Sequence, residues 1–274
     1  VMDFTASLLL QKPTSHEVPV YGLDGGVVEK IALHKIFQAP LRKDLVQRVF
    51  THLATHRLQP KGASKMSGHK HSVESWGPGF GMARIARVKG RGTPKYGSGG
   101  MVPSAVGGRP THPPVPEKKI HKAVNKKELR NALLSAIAFT ASADEVRKRG
   151  HRLPDGLQTP IIVVDDLQSL SKTKEVRDFL TRIGLSEELK RCSLVKIRAG
   201  KGKTRGRRYK GRKGPLIVVA EDRGLLKAAD NIPGLEAVEA RNLSVLDLAP
   251  GGHPGRLTIY TRSALEILAE RLRT

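Results

Sequence analysis

The run Pro160-Ile161-Ile162-Val163-Val164 decides how the rest of the chain is read. Its β-branched residues follow one another without a polar position between them. A strand with one wet face alternates; a continuous run is the pattern of a strand buried on both faces. Working outward toward the C-terminus, strand and helix patterns take turns. Val176, Phe179, Leu180 and Ile183 form a helical stripe closed by Gly184. Leu194–Ile197 reads as a strand, and so does Leu216–Val219. A short helix carrying Leu225, Leu226 and Ala229 follows. Ala237–Glu239 and Leu257–Tyr260 are further strands, and Leu265, Leu268 and Leu272 give an amphipathic helix with Thr261 as its cap. Such alternation predicts an α/β fold: a layered domain with a mostly parallel sheet flanked by helices.

On the N-terminal side, Asn125 and Glu128 predict a capping box opening a helix. Leu129, Leu133, Ile137 and Ala141 mark its apolar face. Ser142 and Glu145 start another helix, which Gly150 ends. Further upstream, Val18–Tyr21 and Val27–Ile31 read as strands around the turn Asp24-Gly25-Gly26. Pro40 then opens a helix in which Leu41, Leu45, Val49 and Leu53 recur every fourth residue, widened by Val46 and Phe50.

Between these halves lies KGASKMSGHKHSVESWGPGFGMARIARVKGRGTPKYGSGGMVPSAVGGRPTHPPVPEKKIHK, residues 61–122. It has almost nothing with which to build a core, and Glu74 and Glu117 are its only acids. Compact domains rarely carry such loops beyond about 12–15 residues, and ordering a backbone costs roughly 1–2 kcal/mol per residue. The expectation is an extended loop ordered by a polyanion. The domain organisation read from the sequence is therefore an unassigned extension at 1–17, one α/β globular domain from 18–60 and 123–274, and an inserted RNA-binding loop at 61–122. Because the loop leaves and re-enters one domain, half its length reaches outward. At about 3.3 Å per residue, roughly 30 residues span on the order of 100 Å. That is too long for a groove on naked DNA and suits an arm threaded into a large folded RNA.

Charge supports this. Forty-nine Lys and Arg face 25 Asp and Glu over 274 residues, a formal net charge of +24, which argues for nucleic acid before anionic membrane. No apolar run approaches the roughly 20 residues of a spanning helix, and no membrane partner is expected. Cys192 is the only cysteine, so no disulfide can form within the chain, and a reducing cytosol fits.

Two constellations carry the candidate RNA contacts. The first is the inserted segment, with Lys61, Lys65, Lys70, Arg84, Arg87, Lys89, Arg91, Lys95, Arg109, Lys118, Lys119 and Lys122 spread along it. Charges at intervals along an extended path are what phosphate neutralisation requires. Trp76, the sole tryptophan, and Tyr96 lie among them, and flat rings between cations suit unstacked bases. The second is KIRAGKGKTRGRRYKGRK, residues 196–213, which contains no acid. Its candidate residues are Arg198, Lys201, Lys203, Arg205, Arg207, Arg208, Tyr209, Lys210, Arg212 and Lys213. Lying between two predicted strands, the run is expected at a sheet end. The plain alternatives are a solvated linker for the first and a solvated turn or localisation-type basic patch for the second.

Signs of catalysis are weaker. Gly202-Lys203-Thr204 resembles the end of a phosphate-binding loop, but the glycine required five positions earlier is Ile197. Asp165 and Asp166 end an apolar strand, yet they precede that loop, the wrong order for a nucleotide site; turn formation or helix capping is the expected role. His52 and His56 lack the glutamate of a zinc-protease helix, since position 53 is Leu, and His69 and His71 have no matching ligand set. No cofactor or metal is expected.

Several stretches resemble the large-subunit ribosomal protein L-four family in its archaeal and eukaryotic branch. They are VPVYGLDG (18–25), SWGPGFGMARIARVKG (75–90), GGRPTHPPVPEKKIHKAVNKKELRNALLSAIAFTA (107–141), KIRAGKGKTRGRRYKGRKGP (196–215) and LAPGGHPGRLTIYTRSALE (248–266). Without a long basic tail after the final helix, the likeness is to the archaeal members. The resemblance implies a non-enzymatic constituent of the large subunit of cytoplasmic ribosomes. It implies an α/β domain on the subunit surface and a loop in 23S-type rRNA that supports assembly. In the family that loop lines the polypeptide exit tunnel near its constriction, beside protein L-twenty-two and the nascent chain. Residues 76–96 match the tunnel-proximal part and 107–119 the return arm. Residues 1–17 match nothing that can be placed. Two competing readings are a nonspecific nucleic-acid packaging protein and an RNA-dependent NTPase using Asp165 and Lys203.

Overall fold

A computed structural model of the chain describes residues 17–154 and 156–272. Strands β1 (Glu17–Tyr21) and β2 (Val27–Ala32) are followed by helix α1 (Lys43–Ala54), and then by the two-residue strands β3 (Val73–Glu74) and β4 (Arg87–Val88). Helices α2 (Lys126–Ala141) and α3 (Ala143–Arg149) lead into β5 (Ile161–Val163), α4 (Thr173–Arg182) and α5 (Ser186–Ser193). The short strands β6 (Lys196–Ile197) and β7 (Tyr209–Lys210) precede β8 (Leu216–Val219), α6 (Leu225–Asp230) and β9 (Glu236–Glu239). Helix α7 (Val245–Leu248), β10 (Thr258–Thr261) and α8 (Arg262–Leu272) complete the order.

The central sheet has the order β2-β1-β5-β10-β8-β9. Only the β1–β2 hairpin is antiparallel; β1–β5, β5–β10, β10–β8 and β8–β9 are parallel. The period-2 geometry of a strand sends successive side chains to opposite faces, and both faces are covered. Val18, Val20, Ile162, Leu216, Val218 and Tyr260 join one core with α1, α2, α7 and α8. Ile161, Val163, Ile217, Val219 and Ile259 join the other with Val146 of α3, α4 and α6. This explains the unbroken apolar run at 161–163 and its twin at 216–219: neither strand has a wet face.

Several local expectations are corrected. The first helix begins at Lys43, not Pro40. Arg42 supplies the carbonyl of its first turn to the Val46 N–H and donates its own N–H to Ser135 Oγ at 2.7 Å, which anchors the start there. Asn125 precedes α2 as expected but makes no side-chain capping bond, while Glu128 pairs with Arg48 at 3.4 Å. Leu129 is exposed, because only the C-terminal half of α2 is covered. Thr261 is the buried last residue of β10 rather than a cap. Asp165 takes that role from a different element, accepting from Ser263 N–H at 2.9 Å and Ser263 Oγ at 2.6 Å in the first turn of α8. Leu194–Ile197 is not a strand of the central sheet. Leu194, Val195 and Ile197 are all exposed, and Lys196 and Ile197 pair only with Lys210 and Tyr209.

The chain separates into two compact units, one resuming at Ala123 after Ala54 and the other formed by Thr55–Lys122. The sheet and its helices belong to the first. In the second, a 3-10 turn covers Thr55–Arg57, Val73 pairs with Val88 and Glu74 with Arg87, Arg87 bridges to Gly99, and turns and irregular segments make up the rest. No helix among the described residues is long and apolar enough to cross a membrane.

Candidate nucleic-acid interface

The unit from Thr55 to Lys122 is closed at its base by the chain's two directions. Lys122 N–H donates to Thr55 Oγ1 at 3.0 Å, His56 Nε2 donates to the Lys122 carbonyl at 3.1 Å, and the rings of His56 and His121 stack 5.1 Å apart at 12°. His56 thus serves as a clasp rather than a metal ligand. Farther along, Ala63 N–H donates to the Pro114 carbonyl at 3.0 Å. The outgoing and returning segments then come so close that a Cβ on Gly68 would sit 2.2 Å from Arg109 N. Gly68 also has φ +79°, so both its conformation and its lack of a side chain are required. At the far end, Trp76 lies against Phe80 and Tyr96 with ring centroids 5.8 and 5.7 Å apart.

The guanidinium of Arg87 lies 5.6 Å from the Trp76 ring and donates to the Gly97 carbonyl at 2.7 Å, so it organises the aromatic cluster. Lys89 pairs with Glu74 at 2.7 Å. Apart from half-buried Trp76 and Arg87, the predicted residues of this unit are exposed: Lys61, Lys65, Lys70, Arg84, Lys89, Arg91, Lys95, Tyr96, Arg109, Lys118, Lys119 and Lys122. Phe80 and Met82 are exposed beside them. Exposed cations, an aromatic cluster and glycine-rich backbone thus occur together in this unit, chemistry able to meet phosphates and stack on bases.

The second predicted run forms its own hairpin. Arg198 N–H donates to the Arg208 carbonyl at 2.8 Å, and its side chain reaches the Arg207 and Tyr209 carbonyls at 3.0 and 3.2 Å. Arg198 holds the hairpin shut, while Lys201, Lys203, Arg205, Arg207, Arg208, Tyr209 and Lys210 are exposed. Gly202, Lys203 and Thr204 lie in a 3-10 turn between β6 and β7, with no buried strand before it and no helix after it. With Asp165 bonded to Ser263, the two residues of the nucleotide-site reading have separate structural settings. No group of three or more His, Cys, Asp or Glu among the described residues could hold a metal.

The base of the hairpin rests on a buried ionic network outside the segments singled out from sequence. Glu188 accepts from His151 Nδ1 at 2.6 Å, from Arg191 at 2.6 and 2.8 Å, and from Arg152 N–H at 2.9 Å. Burial alone would raise its carboxyl, but Arg191, His151 and the Arg152 N–H outweigh that and hold it at about 2. Burial pushes the His151 ring below its ordinary value. Arg191 in turn donates to the Lys213 carbonyl at 2.7 Å, fixing the end of the basic run. Arg256, fully buried, donates to Gly214 O at 2.8 Å, Asp247 O at 2.8 Å and Glu236 Oε2 at 2.6 Å, and Lys213 pairs with the same Glu236. The i, i+3 pairing of Glu188 with Arg191 was visible in the sequence once a helix is drawn there. The position of Arg256 was not.

The chain matches the model of the ribosomal protein L4/L1 family over residues 31–271. It is 48% identical over 257 residues to the large ribosomal subunit protein uL4 of Methanopyrus kandleri, covering 93% of this chain and 99% of that protein. It is 47% identical over 251 residues to the protein of that name from Saccharolobus islandicus, covering 91% and 92%. The Saccharolobus solfataricus counterpart is 46% identical over the same span.

Proposed function

This chain belongs to the ribosomal protein L4/L1 family, and on that footing we propose that it is a structural, non-enzymatic constituent of the large ribosomal subunit that binds the subunit's rRNA. The observation that carries this reading is the exposed array of the Thr55–Lys122 unit. Its cations are exposed, its Trp76, Phe80 and Tyr96 rings gather in one cluster, and its acids are few and, at Glu74, already paired. The basic residues of the arm and of 198–213, with Trp76, Tyr96 and Tyr209, are the proposed rRNA contacts. The domain of 18–60 and 123–274 is the proposed anchor, and 61–122 the element that joins rRNA segments which would otherwise repel one another. By family likeness, residues 76–96 reach the exit tunnel beside protein L-twenty-two, within range of the nascent chain, and the chain resides in cytoplasmic ribosomes.

The test is binding of the full chain, and of a chain lacking residues 65–115, to folded large-subunit rRNA and to an unrelated duplex across a salt series. A preference for the rRNA that survives moderate salt and vanishes with the arm is the expected result. Equal affinities that collapse in parallel as salt rises would instead identify a nonspecific polyanion binder.

A further inference from the structure

A cleft of about 660 Å³ opens at the C-terminal end of α3, beside α5 and the segment after β7. Arg149, Arg191, Lys210, Arg212 and Lys213 line it, and Glu145 is its one acidic wall residue. Half of these charges are already matched. Lys43 and Lys148 hold Glu145 at 2.7 and 3.0 Å, Glu188 holds Arg191, and Glu236 holds Lys213. Arg149, Lys210 and Arg212 have no acidic partner among the described residues.

Arg149 is the most constrained of them. Its Nη2 donates to the Pro250 carbonyl at 2.9 Å, while its Nη1 is buried and meets no acceptor. Burial, then the nearness of Arg256 and Arg191, pushes its guanidinium down to about 10. A buried donor without an acceptor costs about 1–3 kcal/mol, and like charges in a shielded space repel strongly. A group that carries negative charge and several acceptor oxygens relieves both costs at once. Guanidinium forks match the oxygens of a phosphate better than a lone carboxylate in so basic a recess.

We propose that this cleft is a phosphate-binding site and that the phosphate is a backbone phosphodiester of large-subunit RNA, clamped by Arg149, Lys210 and Arg212. The choice of RNA as the source rests on the function proposed above; the phosphate site does not. The site lies in the sheet domain, and it joins Arg149, which the sequence did not mark, to Lys210 and Arg212 of the 198–213 run in one clamp.

The experiment uses the full chain and two variants. Arg212→Ala removes a side chain with no hydrogen bond or ion pair among the described residues. Arg149→Lys keeps the charge and loses the fork. Melting is measured in inorganic phosphate and in chloride at matched ionic strength, and rRNA affinity is measured across a salt series. Phosphate is expected to raise the melting temperature of the unaltered chain beyond chloride, and both variants are expected to lose that excess. Arg212→Ala is expected to lower the slope of log affinity against log salt by about 1. No phosphate-specific shift in the unaltered chain, or the same shift in all three proteins, overturns the site. A phosphate shift that needs Arg212, alongside an unchanged RNA slope, overturns the RNA assignment and leaves a free phosphate-bearing molecule as the ligand. If the unaltered chain shows no preference for rRNA over duplex, the proposed function fails, while the melting experiment still judges the cleft.

Discussion

Val218 and Val88 are both buried valines, yet they are held by different means. Val218 lies in β8, between two parallel neighbours of a six-stranded sheet, with an apolar layer over each face. Val88 is the only buried hydrophobic residue between Thr55 and Lys122. It sits in a two-residue ladder, beside Gly100, with exposed Lys89 and half-buried Arg87 as chain neighbours. The sheet domain defines itself by burying apolar surface. The arm defines itself by turns, glycines and a few clasps, and leaves its cations outward. The contrast separates what this chain needs in order to fold from what it offers to a partner.

The largest expected effect removes one side of the contrast. Deleting residues 65–115 is expected to lower rRNA affinity by about 100-fold or more at fixed salt, since at least half a dozen cations go with them. The circular dichroism and melting of the sheet domain are expected to persist. A deletion that unfolds the domain would break the comparison. Next in size is Glu188→Gln, which leaves Arg191 without its buried partner and is expected to cost about 3–5 kcal/mol, read from the urea midpoint. Its pH dependence has a definite sign. The Glu188 carboxyl is held at about 2 in the fold, below its unfolded value of about 4.3. Its contribution is therefore fully present above that unfolded value and lost as pH falls through about 2. The variant is expected to show a flatter acid limb between those limits.

Ile217→Ala, in the middle of β8, is expected to cost about 2–5 kcal/mol of domain stability. Val88→Ala is expected to leave the domain's melt unchanged and to speed proteolysis within Thr55–Lys122 only. Equal shifts from the two would show that the units are not separate. The smallest effect is that of Lys61→Ala, which is expected to reduce the salt slope of rRNA binding by about 1 and leave stability unaltered.

The legible parts of this chain were those where one pattern spoke alone. Residues 161–163 and 216–219 are buried on both faces and have no polar interruption, so period and burial agree. Helix α5 was missed because SEELKRCS offers only Leu189 and Cys192 to a hydrophobic stripe; its stability comes from the buried Glu188 pairings, which periodicity does not register. Leu194–Ile197 misled for the converse reason. Its apolar residues are exposed on a hairpin, and nothing local distinguishes them from a buried strand. A signal that was present and passed over is Ser244-x-x-Asp247, a true capping box with both bonds formed. At the candidate interface, sequence could mark the cations but not their employment. That Arg87 serves a tryptophan and Arg198 a hairpin is set by contacts that form only in the folded chain.

The clasp at Thr55 and Lys122 has a consequence for how this chain can vary. With Lys122 N–H on Thr55 Oγ1, and with His52 Nδ1 donating to the Ala123 carbonyl at 3.1 Å, the two exits of the insertion are tied side by side. The entropy of closing a loop between fixed ends grows only with the logarithm of its length, about 0.6 kcal/mol for each doubling. The sheet domain is therefore nearly indifferent to how many residues pass through that gate. Lengthening or shortening of the arm is left to be judged by whatever the arm touches rather than by the fold that carries it.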